Sequence, residues 1–328
     1  MFKAPKVGLS LSGGAARGLA HIGVLKALEE KSIPIDMISG TSAGALIGAY
    51  YAKKRNVTAL EEIVLGMDWK KLARLVDMNL ISPWKGFIQG QKAKAFLISL
   101  IGDIKFKDLE IPLAVVTTDV ETMEEFIIKE GSVIEAVRAS MSMPGVFTPV
   151  RWHNRFLIDG GVVNPIPVEA VRSMGADIVI ASTTIGLAKQ RISEQHAGRE
   201  AEAKLNLYIE NTRLAVLKKR IDNLARYNKD KIKILDDLFN IAKSKIYALR
   251  REAEPKAPNI FDVMTQSIHA MEYKLSKLAL KPADIIINPD INHIGTFEFH
   301  RAEEAISQGY EAAYIMLPEL QKRLVVQG

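Results

Sequence analysis

Short apolar runs rich in Val and Ile alternate along the chain with longer stretches whose apolar residues recur every three to four positions. The short runs predict strands at 7–11, 35–38, 111–119, 125–128, 156–159, 176–183 and 283–289, with Asp36 buried inside the second. The longer stretches predict helices over 19–30, 45–51, 58–66, 91–101, 132–140, 261–280 and 299–317, and a further one opened by Asn164-Pro165-Ile166-Pro167. In the first helix Ile22, Leu25 and Leu28 share one side and point to a core. Ser132, followed three residues later by Glu135, has the spacing of a capping box. Strands alternating with helices in this way predict an α/β protein. Residues 67–90 read as irregular, and their Trp69, Trp84 and Phe87 either fill the core or line an acyl pocket.

The pattern changes at 187–257, where glycine nearly vanishes and charge rises. Leu205, Tyr208, Ile209, Thr212, Val216 and Leu217 recur at helical spacing, as do Ile232, Leu235, Leu238, Phe239 and Ala242, which predicts amphipathic helices. Between Ala188 and Lys256 there are 17 Lys and Arg against 10 Asp and Glu, a balance of +7 in a chain whose total is +6. The whole basic excess therefore sits in one segment, which argues against a general nucleic-acid-binding surface. We read 187–257 as a helical insertion into a single domain spanning 1–328. It is a candidate lid, homodimer surface or contact patch for an anionic membrane surface, and Lys218-Lys219-Arg220 favours the last.

Composition narrows the chemistry further. The 328 residues contain no cysteine, which excludes disulfides, thiolate catalysis and cysteine zinc sites. No run reaches the roughly 18–20 apolar residues of a spanning helix. The first residues, Met1-Phe2-Lys3-Ala4-Pro5-Lys6-Val7, carry no apolar signal core. These features predict a cytoplasmic protein, at most peripheral to a membrane. No H-E-x-x-H or similar ligand spacing calls for a metal, and nothing calls for a cofactor.

Two stretches carry candidate chemistry. Gly40-Thr41-Ser42-Ala43-Gly44 lies between the second strand and a small-residue helix, the setting of a nucleophile elbow. Glycines at 40 and 44 leave room for a tight turn that presents the Ser42 hydroxyl. Upstream, Ser12-Gly13-Gly14-Ala15-Ala16-Arg17-Gly18 joins the first strand to the first helix. Its N–H groups converge at a helix N-terminus, where they favour a phosphate or an oxyanion. A Walker loop would end in Gly-Lys-Ser/Thr, and a Rossmann loop would have glycine where Ala15 stands. An oxyanion hole serving Ser42 fits best.

A serine hydroxyl needs a base. Two partners are open at this point. One is a histidine, for which His293 is the best placed of the six, although its surroundings do not resemble a triad loop. The other is Asp159, at the end of an apolar strand and followed by Gly160-Gly161, since strand ends in α/β folds project into the cleft.

Gly13-Gly14-Ala15-Ala16-Arg17-Gly18, the elbow at Gly40–Gly44, Ala139-Ser140 with Pro144 and Phe147, and Asp159-Gly160-Gly161 occur in the order and spacing of the patatin-like phospholipase family. The chain resembles bacterial members over about 1–186 and again over about 258–318, and 187–257 resembles nothing placed. The resemblance implies a three-layer α/β/α fold with a mainly parallel central sheet. It implies a serine lipid acyl hydrolase of phospholipase A or carboxylesterase type, independent of calcium. Ser42 would form an acyl-enzyme on a lipid or ester substrate, Asp159 would act as base, and Gly160 and Gly161 would form the turn after it. Gly13, Gly14, Ala15, Arg17 and Gly18 would build the oxyanion hole, with Ala15 standing where many members have a third glycine. A competing expectation is a regulatory or scaffolding protein with weak hydrolysis that acts through the insertion.

Overall fold

The computed structural model describes residues 4–67, 88–186 and 260–326. The chain divides into two units, Met1–Leu187 with Phe261–Gly328, and Ala188–Ile260. The second, apart from Ile260, lies outside the described residues, and so do the expected insertion helices. Trp69, Trp84 and Phe87 lie outside them as well.

The first unit is built on one eight-stranded sheet: β1 (Val7–Leu11), β2 (Met37–Thr41), β3 (Leu113–Asp119), β4 (Glu125–Ile128), β5 (Val150–Trp152), β6 (Arg155–Asp159), β7 (Ile178–Ser182) and β8 (Ile285–Ile287). The middle is parallel: β3, β2, β1, β7 and β8 lie side by side in that order. Strands β4 and β6 both join β3 antiparallel, and β5 closes a hairpin on β6. Around the sheet lie α1 (Ala20–Glu30), α2 (Ala43–Lys54), α3 (Val57–Leu65), α4 (Gln91–Ile101), α5 (Val133–Ser140), α6 (Val168–Arg172), α7 (Ile260–Ala279) and α8 (Ala302–Val326). A short 3-10 helix, Ala15–Leu19, precedes α1.

Side-chain alternation along the strands makes the three layers. Val7, Leu9 and Leu11 of β1, with Leu113 and Val115 of β3, pack into the core shared with Ile22, Leu25 and Leu28 of α1. Ala114 and Val116 of β3 face the other way, onto Ala170 of α6. Val179 and Ala181 of β7 share that opposite side with Val168 and Val171. Each Leu, Ile or Val fully removed from water contributes roughly 1.5–3 kcal/mol, so the parallel strands, buried on both faces, are mostly apolar, although Ser10 of β1 and Ser39 and Thr41 of β2 are buried among them.

Several boundaries differ from the expectation. The run at 35–38 starts too early: β2 begins at Met37 and carries Gly40 and Thr41 inside the sheet. Asp36 precedes the strand and is exposed rather than buried, its Oδ2 accepting the Val7 N–H at 2.7 Å. The last helix was expected to stop before Pro318 but continues to Val326. Leu317 and Leu320 are both buried on its inner side. Their burial, roughly 1.5–3 kcal/mol each, offsets the cost of about 3 kcal/mol for a proline inside a helix. Strand β5 was not foreseen, because three residues are too few to show a period.

Candidate active site

The sheet topology positions the site. Thr41, at the end of β2, pairs with Val116 of β3, and Asp159, at the end of β6, pairs with the next residue, Thr117. Strand β4 pairs with both Val116 and Thr117, so it occupies the opposite edge of β3. Strands β2 and β6 therefore share one edge and run toward each other, and their C-terminal ends meet. Ser42 leaves one end and Asp159 closes the other.

Ser42 occupies the single residue between β2 and α2, at φ 52 and ψ −118. Such a conformation costs a non-glycine residue on the order of 1–3 kcal/mol. The surroundings enforce it. A Cβ on Gly40 would lie 2.6 Å from the Gly44 carbonyl oxygen, and one on Gly44 would lie 2.5 Å from that of Ser12. The Ser42 N–H donates to Ser140 Oγ at 2.8 Å, and Ser140 Oγ donates to the Val116 carbonyl at 2.6 Å. That relay ties the elbow to β3.

The Ser42 hydroxyl donates to Asp159 Oδ2 at 2.7 Å. The other oxygen, Oδ1, accepts the Gly161 N–H at 2.8 Å. Backbone bonds hold the residue on both sides: Asp159 N–H to the Ser142 carbonyl at 3.0 Å, and Thr118 Oγ1 to the Asp159 carbonyl at 2.8 Å. Ser142 is held in turn by Arg138, whose Nη1 donates to Ser142 Oγ at 2.6 Å. Burial pushes the Asp159 carboxyl up to about 6, with the Gly161 N–H and the Ser42 hydroxyl pulling it partly back.

The glycine-rich loop lies against the elbow: a Cβ on Gly13 would sit 3.5 Å from Ser42 Cβ. The Gly13 N–H is committed to the Pro165 carbonyl at 3.0 Å, and that of Ala16 to the Thr296 carbonyl at 3.0 Å. Among the described residues, the N–H groups of Gly14 and Ala15 carry no hydrogen-bond partner. Gly14 has φ 146 and Ala15 has φ 48, so alanine accepts a left-handed conformation where glycine would be unstrained. Gly18 packs its Cα against Ala43 at the start of α2. Arg17 lies on the short helix with its Nε buried and unpartnered.

His21 anchors this loop. Its Nε2 lies 2.9 Å from the Ser12 carbonyl and its Nδ1 2.7 Å from Ser182 Oγ. A carbonyl only accepts, so Nε2 carries the proton and Nδ1 accepts from Ser182. Complete burial pushes this histidine down to about 4 and keeps it neutral.

Ser42, Asp159 and Ala15 open onto a cavity of about 490 Å³. Its other walls are almost wholly apolar, including Leu46 and Ile47 of α2, Ala93 and Phe96 of α4, and Phe147 and Phe297. His300 also lines it. His293 does not: its Nε2 lies 2.6 Å from Glu304 Oε1, in a cluster with Arg301. His196 lies outside the described residues. Among the described residues no group of acidic or histidine side chains could hold a metal ion, and no helix is long and apolar enough to cross a membrane. Two contributors went unforeseen. Phe297 follows a strand too short to fix the loop beyond it, and Glu272 of α7 approaches Asp159 from a helix whose pattern shows only amphipathicity.

Fold and site together define an α/β protein with a serine on a strand-to-helix elbow, bonded to a strand-end aspartate over an apolar cavity. The family model for patatin-like phospholipase matches residues 9–172, and the chain belongs to that family, one of lipid ester hydrolases. It is 37% identical over 180 residues to the neuropathy target esterase sws of Drosophila melanogaster, covering 53% of this chain and 12% of that protein. It is 28% identical over 330 residues to an uncharacterized NTE family protein of Mycobacterium bovis, covering 93% of this chain and 89% of that one. It is 25% identical over 320 residues to lysophospholipase NTE1 of Pyricularia oryzae, covering 96% of this chain and 18% of that protein.

Proposed function

We propose that this chain is a calcium-independent serine hydrolase of fatty-acyl esters, of phospholipase A or carboxylesterase type, acting through an acyl-enzyme on Ser42. The observation that carries the reading is the 2.7 Å bond from Ser42 Oγ to Asp159 Oδ2 at one end of an apolar cavity of about 490 Å³. A buried carboxylate raised to about 6 is a stronger base than an ordinary one, yet still ionised at neutral pH. As Ser42 Oγ attacks the ester carbonyl, its proton passes to Asp159 Oδ2. The carbonyl oxygen takes up the negative charge and accepts from the Gly14 and Ala15 N–H groups. Each such donor is worth on the order of 10²–10³ in rate. The C–O bond then breaks, and the departing alcohol takes the proton from Asp159. Water attacks the acyl-enzyme with Asp159 again accepting a proton; the bond from the acyl carbon to Ser42 Oγ then breaks, Ser42 takes the proton back from Asp159, and the fatty acid leaves.

The apolar walls suit an acyl chain and offer almost nothing to a polar one. The name lysophospholipase on one relative fits a substrate with a single chain for this cavity. We place the protein in the cytoplasm. The test is release of fatty acid from p-nitrophenyl esters and from lysophospholipid by the wild type and by Ser42→Ala. Loss of both activities in the variant supports the reading; hydrolysis of either at the wild-type rate overturns it.

A further inference from the structure

Asp159 has a second carboxylate as a neighbour. Glu272, on α7, is half-buried, and its Oε1 occupies space that only a glycine at 161 leaves open: a Cβ there would lie 2.6 Å from Glu272 Oε1. The same point is 3.2 Å from Asp159 Oδ1. Glu272 thus stands on the Oδ1 side of Asp159, while Ser42 bonds to Oδ2. Arg17 faces Glu272 from the loop helix, and His269, one turn earlier on α7, faces Arg17. Among the described residues no hydrogen bond or ion pair joins Glu272 to Arg17, whose Nε is buried and unpartnered.

We propose that Glu272 is a positioning residue that strengthens Asp159 as a base, its charge pushing negative charge off Asp159 toward Ser42. The inference rests on Asp159 being the base. When Ser42 attacks, one unit of negative charge leaves the Asp159 carboxylate and appears on the carbonyl oxygen beyond Ser42. That movement is away from Glu272. An ionised Glu272 therefore repels the starting state more than the tetrahedral one, because repulsion falls with distance. Neutral Glu272 gives no such assistance.

The titration of the cluster supports this arrangement. Burial and then Asp159 push Glu272 up to about 8, with Arg17 pulling it partly back. His269 is pushed down to about 4 by burial and by Arg17, so it stays neutral throughout. Asp159 ionises first, at about 6, and Glu272 afterwards.

The experiment is the pH profile of kcat/KM for a p-nitrophenyl ester with wild type, Glu272→Gln and Glu272→Asp. The wild type should rise in two steps, the second of about threefold or more as Glu272 ionises. Glu272→Gln should match the wild type below that step and fall short of it above, and Glu272→Asp should retain a second rise. Loss of a merely structural contact would lower the rate equally at every pH. A Glu272→Gln profile proportional to the wild type across the range overturns the inference, as does a Glu272→Asp profile without the second rise. Failure of the base assignment would show separately, as full turnover by Asp159→Asn.

Discussion

Thr41 and Asp159 end two strands that run head-on along one edge of β3, paired with the adjacent residues Val116 and Thr117. The encounter of Ser42 with Asp159 is therefore fixed by backbone register. Few side-chain contacts are needed to bring the pair together, and those present, through Ser140 and Thr118, lock it to the same strand.

Asp159 should show its environment in two measurements with opposite pH senses. Activity requires its ionised form, so kcat/KM should rise through about pH 6. Stability runs the other way. A carboxyl raised from 3.8 to about 6 binds its proton more tightly when folded, which destabilises the native state above about pH 6 and not below about pH 4. Denaturant melts of Asp159→Asn should give a protein about 3 kcal/mol more stable than wild type at pH 8, converging with it at pH 4. The same variant should lose roughly 10²–10⁴ in turnover.

Gly44 is the residue on which the elbow is most sensitive. A methyl group there meets the backbone carbonyl oxygens of Leu11, the last residue of β1, and of Ser12, which follows it. Gly44→Ala should cost about 1–3 kcal/mol of stability from overpacking alone. It should also cost on the order of 10²-fold in kcat, since a shift of an ångström at Ser42 spoils the attack geometry. Paired thermal melts and ester assays check both effects.

Much of this was legible in the chain. Strands β1 and β4 and helix α4 lie where the apolar pattern put them, Ser132 caps α5 through the Glu135 N–H, and Ile22, Leu25 and Leu28 are fully buried. Ser42 and Asp159 stood out because each combines a strand end with glycines, which local sequence can display. What could not be read depends on register and on distant packing. The commitment of the Gly13 N–H to Pro165, which leaves Gly14 and Ala15 as the unpartnered donors, is one case. The arrival of Glu272 beside Gly161 is another. His293 looked like a base by its place in the chain, but it pairs with Glu304. The role of His21 as a neutral bridge beneath the loop is a third.

The cavity should discriminate by chain length. Ala93 lines it from α4, and an indole there would take up space open to an acyl tail. Ala93→Trp should lower kcat/KM for p-nitrophenyl palmitate by about tenfold or more, the equivalent of a few lost methylene contacts. Hydrolysis of p-nitrophenyl acetate should stay close to the wild-type rate. Equal losses on both esters would mean that the tail lies elsewhere.

The most direct test of the account is to locate a covalent adduct. Wild-type protein is treated with a long-chain fluorophosphonate, digested and analysed by mass spectrometry. One adduct is expected, on the peptide containing Ser42, formed slowly in Asp159→Asn and absent in Ser42→Ala. An adduct on another residue, or Ser42→Ala labelled as fast as the wild type, would contradict it.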